Sequence, residues 1–132
     1  MEKHCVSLGI AKQLKEAGWN KDAVHYWVKE RGLWRLENEK HYINGCSITK
    51  FINDFPERCP APLATEILEE LPRFLGNSGL YELTITHKNY GKYCVSYYDD
   101  GNESSYSEEQ FDESLPNALA KMWLYLKKEG KV

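Results

Sequence analysis

The chain has 132 residues, enough for one domain with its own core, and no internal linker or repeat divides it. Its 17 basic and 20 acidic residues give a net charge of −3, which disfavours nonspecific binding to nucleic acid because phosphates require a positive field. The N-terminal segment is too polar for a signal peptide, and no apolar run reaches the length of a membrane span. We therefore expect a single domain, residues 1–132, that lies in the cytoplasm and does not contact a membrane.

The first predicted element is a helix from Val6 to Ala17, with Ser7 as a candidate cap and Gly18 at its end. The apolar residues of this segment recur at spacings of three and four, as on a helix with one buried face.

A change of period after this helix predicts a β-hairpin. Residues Val24 to Val28 alternate and are rich in β-branched and aromatic side chains, Arg31-Gly32 interrupts them, and Leu33 to Leu36 resume the pattern. A helical continuation through the same residues is the alternative. The segment His41 to Phe55 is ambiguous, and we expect a loop with a short strand or helical turn in it.

The second half repeats the order of a helix followed by a hairpin. A helix is predicted from Leu63 to Leu71 after a proline-rich entry that includes Cys59 and Pro60. The clearest hairpin follows, with strands Leu80 to His87 and Lys92 to Tyr98 around a turn that contains Gly91. The polar segment Asp99 to Ser107 is predicted to be a loop.

The last predicted helix, Leu115 to Glu129, has the strongest pattern and the largest apolar face. Ser114 is a good N-cap, Pro116 suits the first turn, and Gly130 is a natural stop. We expect this helix to be the element against which the rest of the chain packs. The element order is α-β-β-α-β-β-α, which predicts an α+β fold: an antiparallel sheet built from two hairpins, with helices packed on one face.

Five segments resemble a family of small, uncharacterised bacterial proteins found in prophages and phage genomes. They are Leu14–Gly18, Tyr26–Val28, Ala61–Leu63 with Glu66–Pro72, Val95–Tyr98, and Leu115–Glu129 with its Ala-Leu-Ala-Lys-Met-Trp core. The resemblance spans about Cys5 to Gly130. It implies a phage-associated context and an intracellular location, and it supplies no catalytic residues.

The sequence offers weak support for a metal site or a cofactor. Four Cys and four His are present, but they lack the close paired spacing that structural zinc sites show. Residues Asp99 to Glu103 are acidic, yet they lack the alternating ligands of a calcium loop and are better explained as a turn. No phosphate-binding or dinucleotide-binding motif is present, so we predict no metal and no cofactor.

One hypothesis is an enzyme that uses a nucleophilic cysteine, with Cys94 or Cys59 as the nucleophile. His87 lies on the strand next to Cys94, so the two side chains are candidates for a catalytic pair. By alternation, however, Cys94 faces away from Tyr93 and Val95, and His87 lies at a strand end. We therefore expect a buried or half-buried thiol and a surface imidazole, and predict that the protein is not an enzyme.

Aromatic residues, at 13% of the chain, are the one feature that indicates a function. Tyr and Trp are favoured in protein interfaces, so we predict a noncatalytic accessory protein that binds a partner protein or a second copy of itself. The alternative is a module that stacks single-stranded nucleic acid between aromatics and flanking lysines. The candidate interaction surface consists of Trp27, Trp34, Tyr81, Tyr90, Tyr93, Tyr98, Lys88 and Lys92.

Overall fold

A computed structural model describes residues 4–38, 54–76, 79–88, 90–99, 101, 104–105 and 108–132. Within these residues there are three helices: α1 (Leu8–Glu16), α2 (Ala64–Glu70) and α3 (Leu115–Lys128). None of them is long and apolar enough to cross a membrane. The strands are β1 (His25–Glu30), β2 (Leu33–Asn38), β3 (Arg58–Pro60), β4 (Phe74–Leu75), β5 (Tyr81–His87), β6 (Tyr93–Asp99), β7 (Ser104–Ser105) and β8 (Gln110–Asp112).

The α+β class and the predicted order of helices and hairpins are confirmed, but the two hairpins belong to two different antiparallel sheets. The first sheet has the order β2-β1-β3, and the second has the order β4-β5-β6, with β7 and β8 both on the far edge of β6. Each hairpin acquires its own short edge strands, β3 for the first and β4, β7 and β8 for the second. The predicted single sheet is therefore replaced by two smaller ones.

Helix α3 contacts α1, α2, β6 and β8, so the last helix has the central position that its apolar pattern predicted. Leu119, Met122 and Leu126 are fully buried along its inner face. Ser114 is its N-cap and accepts a hydrogen bond from the Asn117 backbone N–H at 3.3 Å. Side chains from both sheets pack into the one large cluster that α3 organises.

The first sheet contributes to this cluster through one face only. Trp27 lies opposite Leu36 on one side and Cys59 on the other, and all three side chains point towards the main core. On the opposite face, Val28 and Phe55 form a separate small cluster. Both faces of this sheet therefore carry buried apolar residues, whereas the sequence predicted helices on one face.

The second sheet is deepest at β6, which pairs with strands on both of its edges. Val95 and Tyr97 are fully buried on the face that packs on α3, and the Tyr97 hydroxyl donates to the Pro72 carbonyl at 2.6 Å. Burial raises the pKa of Tyr97, so this hydroxyl stays protonated and serves as a structural donor. Cys94 is buried on the other face, as alternation along the strand predicted.

Two predictions concern residues that the structure covers only in part. Most of the ambiguous segment 41–55 lies outside the described residues, as do Asp100, Asn102 and Glu103 of the acidic segment. In the described part of that segment, the Asp99 carboxylate accepts a hydrogen bond from the Gly101 backbone N–H at 3.0 Å. This contact is the local side-chain turn by which Asp favours a reversal of the chain.

Candidate protein-binding surface

A solvent-open cavity of about 730 Å³ lies where the start of α3 meets the end of the β5–β6 hairpin. Its volume falls in the range of 300–1,000 Å³, roughly, that ligand pockets occupy. Parts of the chain that are distant in sequence meet here. Its lining consists of His4, Ala64, Tyr93 and the run from Asp112 to Asn117.

Most polar groups of this cavity already hold the start of α3 in place. Asp112 accepts a hydrogen bond from the Ser114 backbone N–H at 2.9 Å and pairs with Lys121 at 2.9 Å. The Asn117 side chain accepts from the Ser7 backbone N–H at 2.9 Å, which ties the N-terminal segment to α3. These groups satisfy the backbone donors of a helix start and its neighbours, so they have a structural role at the start of α3.

The wall of the cavity formed by Asp112 and Glu113 is negatively charged. Although burial favours the neutral acid, hydrogen bonds from Lys121 and the Ser114 backbone outweigh it and lower the pKa of Asp112. Asp112 is therefore a carboxylate at neutral pH. Glu113 is exposed beside it, so the wall disfavours a phosphate chain.

Tyr93, the first residue of β6, also lines the cavity and is the direct cross-strand neighbour of Asp112 on β8. Tyr93 lies across from His87 in the β5–β6 ladder, and the two rings are 4.6 Å apart between centroids at 37°. Tyr93 is half-buried against the core and His87 is exposed. The core thus fixes one ring of the pair, and the other ring faces solvent.

Beyond this ring pair, the turn of the hairpin carries an exposed aromatic residue between two lysines. The Lys88 backbone N–H donates to the Lys92 carbonyl at 2.7 Å and closes the turn, where Gly91 has φ 81°. Tyr90 is 66% exposed. We call the set His87, Lys88, Tyr90, Lys92 and Tyr93 the hairpin-tip surface.

The structure brings together four of the eight predicted interface residues, namely Lys88, Tyr90, Lys92 and Tyr93. Tyr81 and Tyr98 are half-buried near the other end of the same hairpin. Trp27 and Trp34 lie in the first sheet and do not join the hairpin-tip surface.

Both of these tryptophans have structural contacts. The Trp27 indole N–H donates to the Val6 carbonyl at 3.0 Å, and the Lys12 ammonium lies 5.1 Å from the Trp34 ring centroid. They pack the first sheet against α1 and the segment before it.

Neither candidate cysteine has the environment of a nucleophile. Burial, the hydrogen bond to the Glu109 carboxylate at 3.1 Å and its negative charge raise the pKa of Cys94 to about 11. Burial also raises the pKa of Cys59, although Lys15 and Lys12 act in the opposite direction. Because the thiolate is the reactive form, both groups are suited to the core. His87, moreover, projects from the opposite face of the hairpin to Cys94.

In the described part of the chain, no three His, Cys, Asp or Glu side chains converge as a metal-binding set. Cys59 and Cys94 are buried free thiols there, Cys5 is buried as well, and Cys46 lies outside the described residues.

Comparison of the chain with protein-family models, with curated protein sequences and with solved structures found no match. The phage-associated family suggested by the five sequence segments therefore stays a prediction that rests on those segments.

Proposed function

We propose that this chain is a noncatalytic accessory protein that binds another protein through the hairpin-tip surface and the cavity beside it. The observation that supports this proposal is an exposed aromatic surface with both signs of charge around it. Lys88 and Lys92 lie on one side of Tyr93, and Asp112 and Glu113 lie on the other. The phage-associated context remains part of the proposal on sequence grounds alone.

Tyrosine is well suited to such a contact because it combines a large apolar ring with a polar end. Tyr90 is exposed at the turn, and Tyr93 is anchored by the core, so the surface has one adaptable and one fixed aromatic. Anchored aromatics near the centre of an interface often dominate binding energy. A partner protein with an apolar side chain and charges of both signs would complement this arrangement.

A single-stranded nucleic acid is the alternative occupant, because Tyr90 lies between Lys88 and Lys92. Base stacking on tyrosine and phosphate contacts to lysine are the usual elements of such binding. Asp112 is paired with Lys121, but the exposed carboxylate of Glu113 lies on the other side of Tyr93 and would repel the same phosphate chain. The mixed charge therefore favours a protein over a polyanion.

The proposal is tested by placing a photo-crosslinking amino acid at position 90 in cells that produce the chain. We expect a discrete covalent adduct with another protein, because Tyr90 lies within the proposed contact. The matched control carries the crosslinker at Leu33, which is 75% exposed at the turn of the other hairpin. Equal labelling from both positions, or none from position 90, would contradict the proposal.

The nucleic-acid alternative is tested on the purified protein with a labelled single-stranded oligonucleotide at low salt. We expect no binding, and the protein adduct at position 90 should persist after nuclease treatment. Binding that weakens steeply with salt and disappears in Tyr90→Ala would favour nucleic acid instead.

A further inference from the structure

The outer edge of β5 is covered along only part of its length. β4 pairs with Tyr81 and Glu82, and the Leu83 backbone N–H donates to the Arg73 carbonyl at 2.9 Å. No described strand pairs with this edge from Thr84 onwards. We call residues 84–88 the open edge.

The hydrogen bonds at both ends of β5 show which backbone groups face outwards. The bond from Lys88 to Lys92 makes these two residues a hydrogen-bonded pair with β6, and such pairs alternate along an antiparallel ladder. Leu83 is five residues before Lys88, so alternation predicts that its N–H points away from β6, and its bond to Arg73 shows that it does. It follows that the N–H and C=O groups of Ile85 and His87 point away from β6, and no described residue pairs with them.

Side chains do not protect this edge in the way that they protect the edge strand of the other sheet. β2 carries Arg35, which forms ion pairs with Glu30 and Glu37, and charge of this kind discourages strand addition. Residues 84–87 of the open edge include no Lys, Arg, Asp, Glu or Pro. Ile85 is 39% exposed although Val95, directly across from it, is fully buried.

From this edge we infer that the protein forms a two-fold symmetric dimer by antiparallel pairing of β5 with β5 of a second copy. The two-fold axis passes beside Thr86, so Ile85 of each copy pairs with His87 of the other. All four outward N–H and C=O groups on each copy then have partners. The inference goes beyond the proposed function, because it names a second copy as a partner and places it at a site next to the hairpin tip.

The length of the open edge favours a second copy over a longer strand. An incoming strand can pair with β5 only from Thr84 onwards, because the Leu83 N–H already donates to the Arg73 carbonyl. In the paired register, Lys88 of the second copy lies opposite Thr84, and its chain turns away immediately afterwards at Tyr90 and Gly91. The paired strand of the second copy therefore ends at its hairpin turn, at the same point where β4 and Arg73 begin to cover β5 of the first copy.

The register shifted towards Leu83 satisfies fewer backbone groups. With the two-fold axis beside Ile85, His87 would face Leu83, whose N–H is already bonded to Arg73. With the axis beside Thr86, the two Thr86 side chains form a close cross-strand pair on the outer face, and threonine pairs are favourable there. No like charges face each other in this arrangement.

The first test measures mass against concentration by sedimentation equilibrium for the unmodified protein and for Ile85→Pro. Proline removes the outward N–H of Ile85, and an edge strand tolerates it where the N–H faces solvent. We expect a concentration-dependent dimer that is lost in Ile85→Pro while circular dichroism stays native-like. Ile85→Thr keeps the donor and controls for loss of the side chain, and it should still dimerise.

The second test locates the axis by disulfide formation between copies, in a Cys94→Ser background because Thr86 faces Cys94 across the β5–β6 ladder. Thr86→Cys should give an oxidised dimer, since residues of a non-hydrogen-bonded pair have Cα atoms about 4.5 Å apart, within disulfide reach. Thr84→Cys, which would face Lys88 of the second copy, should not. The background protein without either change reports any contribution from the remaining cysteines.

A monomer at every concentration would overturn the dimer, and so would a dimer that persists in Ile85→Pro or a Thr84→Cys crosslink as strong as that of Thr86→Cys. The adduct expected from position 90 contains a different protein, so its mass distinguishes it from two crosslinked copies, and none of these outcomes removes it. Conversely, loss of that adduct with the dimer intact would contradict the proposed function at the hairpin tip and leave the dimer in place.

Discussion

The carboxylate of Asp112 illustrates how one side chain connects the cavity wall to the stability of the fold. It accepts from the backbone at the cap of α3 and from Lys121 in the second turn of that helix. These bonds are stronger when the acceptor is charged. The side chain therefore has a lower pKa in the folded state than in the unfolded chain.

A lowered pKa of Asp112 means that its contribution to stability is present above the unfolded pKa and is lost as pH falls through the folded pKa. We expect Asp112→Asn to reduce the free energy of unfolding at neutral pH and to have a smaller effect as the pH is lowered below about 4. Urea titrations at several pH values measure this difference. Glu113→Gln removes the same charge without these bonds, and an equal pH profile for the two variants would contradict the assignment.

For single residues, the sequence predicted the turn that carries Tyr90 between two lysines, but it did not predict which aromatic residues are exposed. The exposure of Tyr90 and the cavity are visible only in the structure. The cavity joins His4, Ala64 and Tyr93 to the start of α3. Nothing local in the sequence relates these positions, since their proximity depends on how the second sheet packs on α3.

Among the elements, the β1–β2 hairpin shows a mismatch between a residue and its backbone. Arg31 has φ 54° and Gly32 has φ 79°, so both central residues of the turn are left-handed, as in a type I′ turn. Glycine adopts this conformation readily, whereas a residue such as arginine does so at a cost of about 1–2 kcal/mol.

Replacing Arg31 by Asn should therefore stabilise the protein by about 1 kcal/mol, because asparagine tolerates the left-handed region. Thermal and urea unfolding measure the gain. Arg31→Ala removes the same long side chain but keeps the strain, and it should stay close to the unmodified protein. Equal stability of the Asn and Ala variants would show that the turn conformation is not the cause.

The elements that sequence reasoning identified are those with a local pattern of sufficient length. β1, β2, β5 and β6 have six or seven residues each with readable alternation. By contrast, β3, β4 and β8 have only two or three residues, and exist because a neighbouring strand offers an unpaired edge.

At the scale of the whole molecule, α3 connects parts that would otherwise be separate. It packs on α1, α2 and the second sheet, while the first sheet reaches the same cluster through Trp27 and Leu36. Because several elements share the contacts of this cluster, we expect the protein to unfold as one cooperative unit. A substitution that shortens a buried side chain in the cluster should then destabilise the whole protein.

Leu119→Ala is the matching test, since Leu119 is fully buried on α3. We expect a loss of about 2–5 kcal/mol in the free energy of unfolding, with coincident transitions by circular dichroism and tryptophan fluorescence. The control, Leu33→Ala, changes an exposed side chain and should alter stability by less than about 0.5 kcal/mol. Separate transitions by the two probes would contradict the single unit.

The contact between Trp19 and Trp123 gives the protein an optical property as well as a structural one. The two indole rings are 5.1 Å apart between centroids at an angle of 71°, one just after α1 and the other within α3. Chromophores this close and inclined to each other share their excited states, which produces paired bands of opposite sign in circular dichroism. These paired bands therefore report the packing of α3 on α1 without an added label.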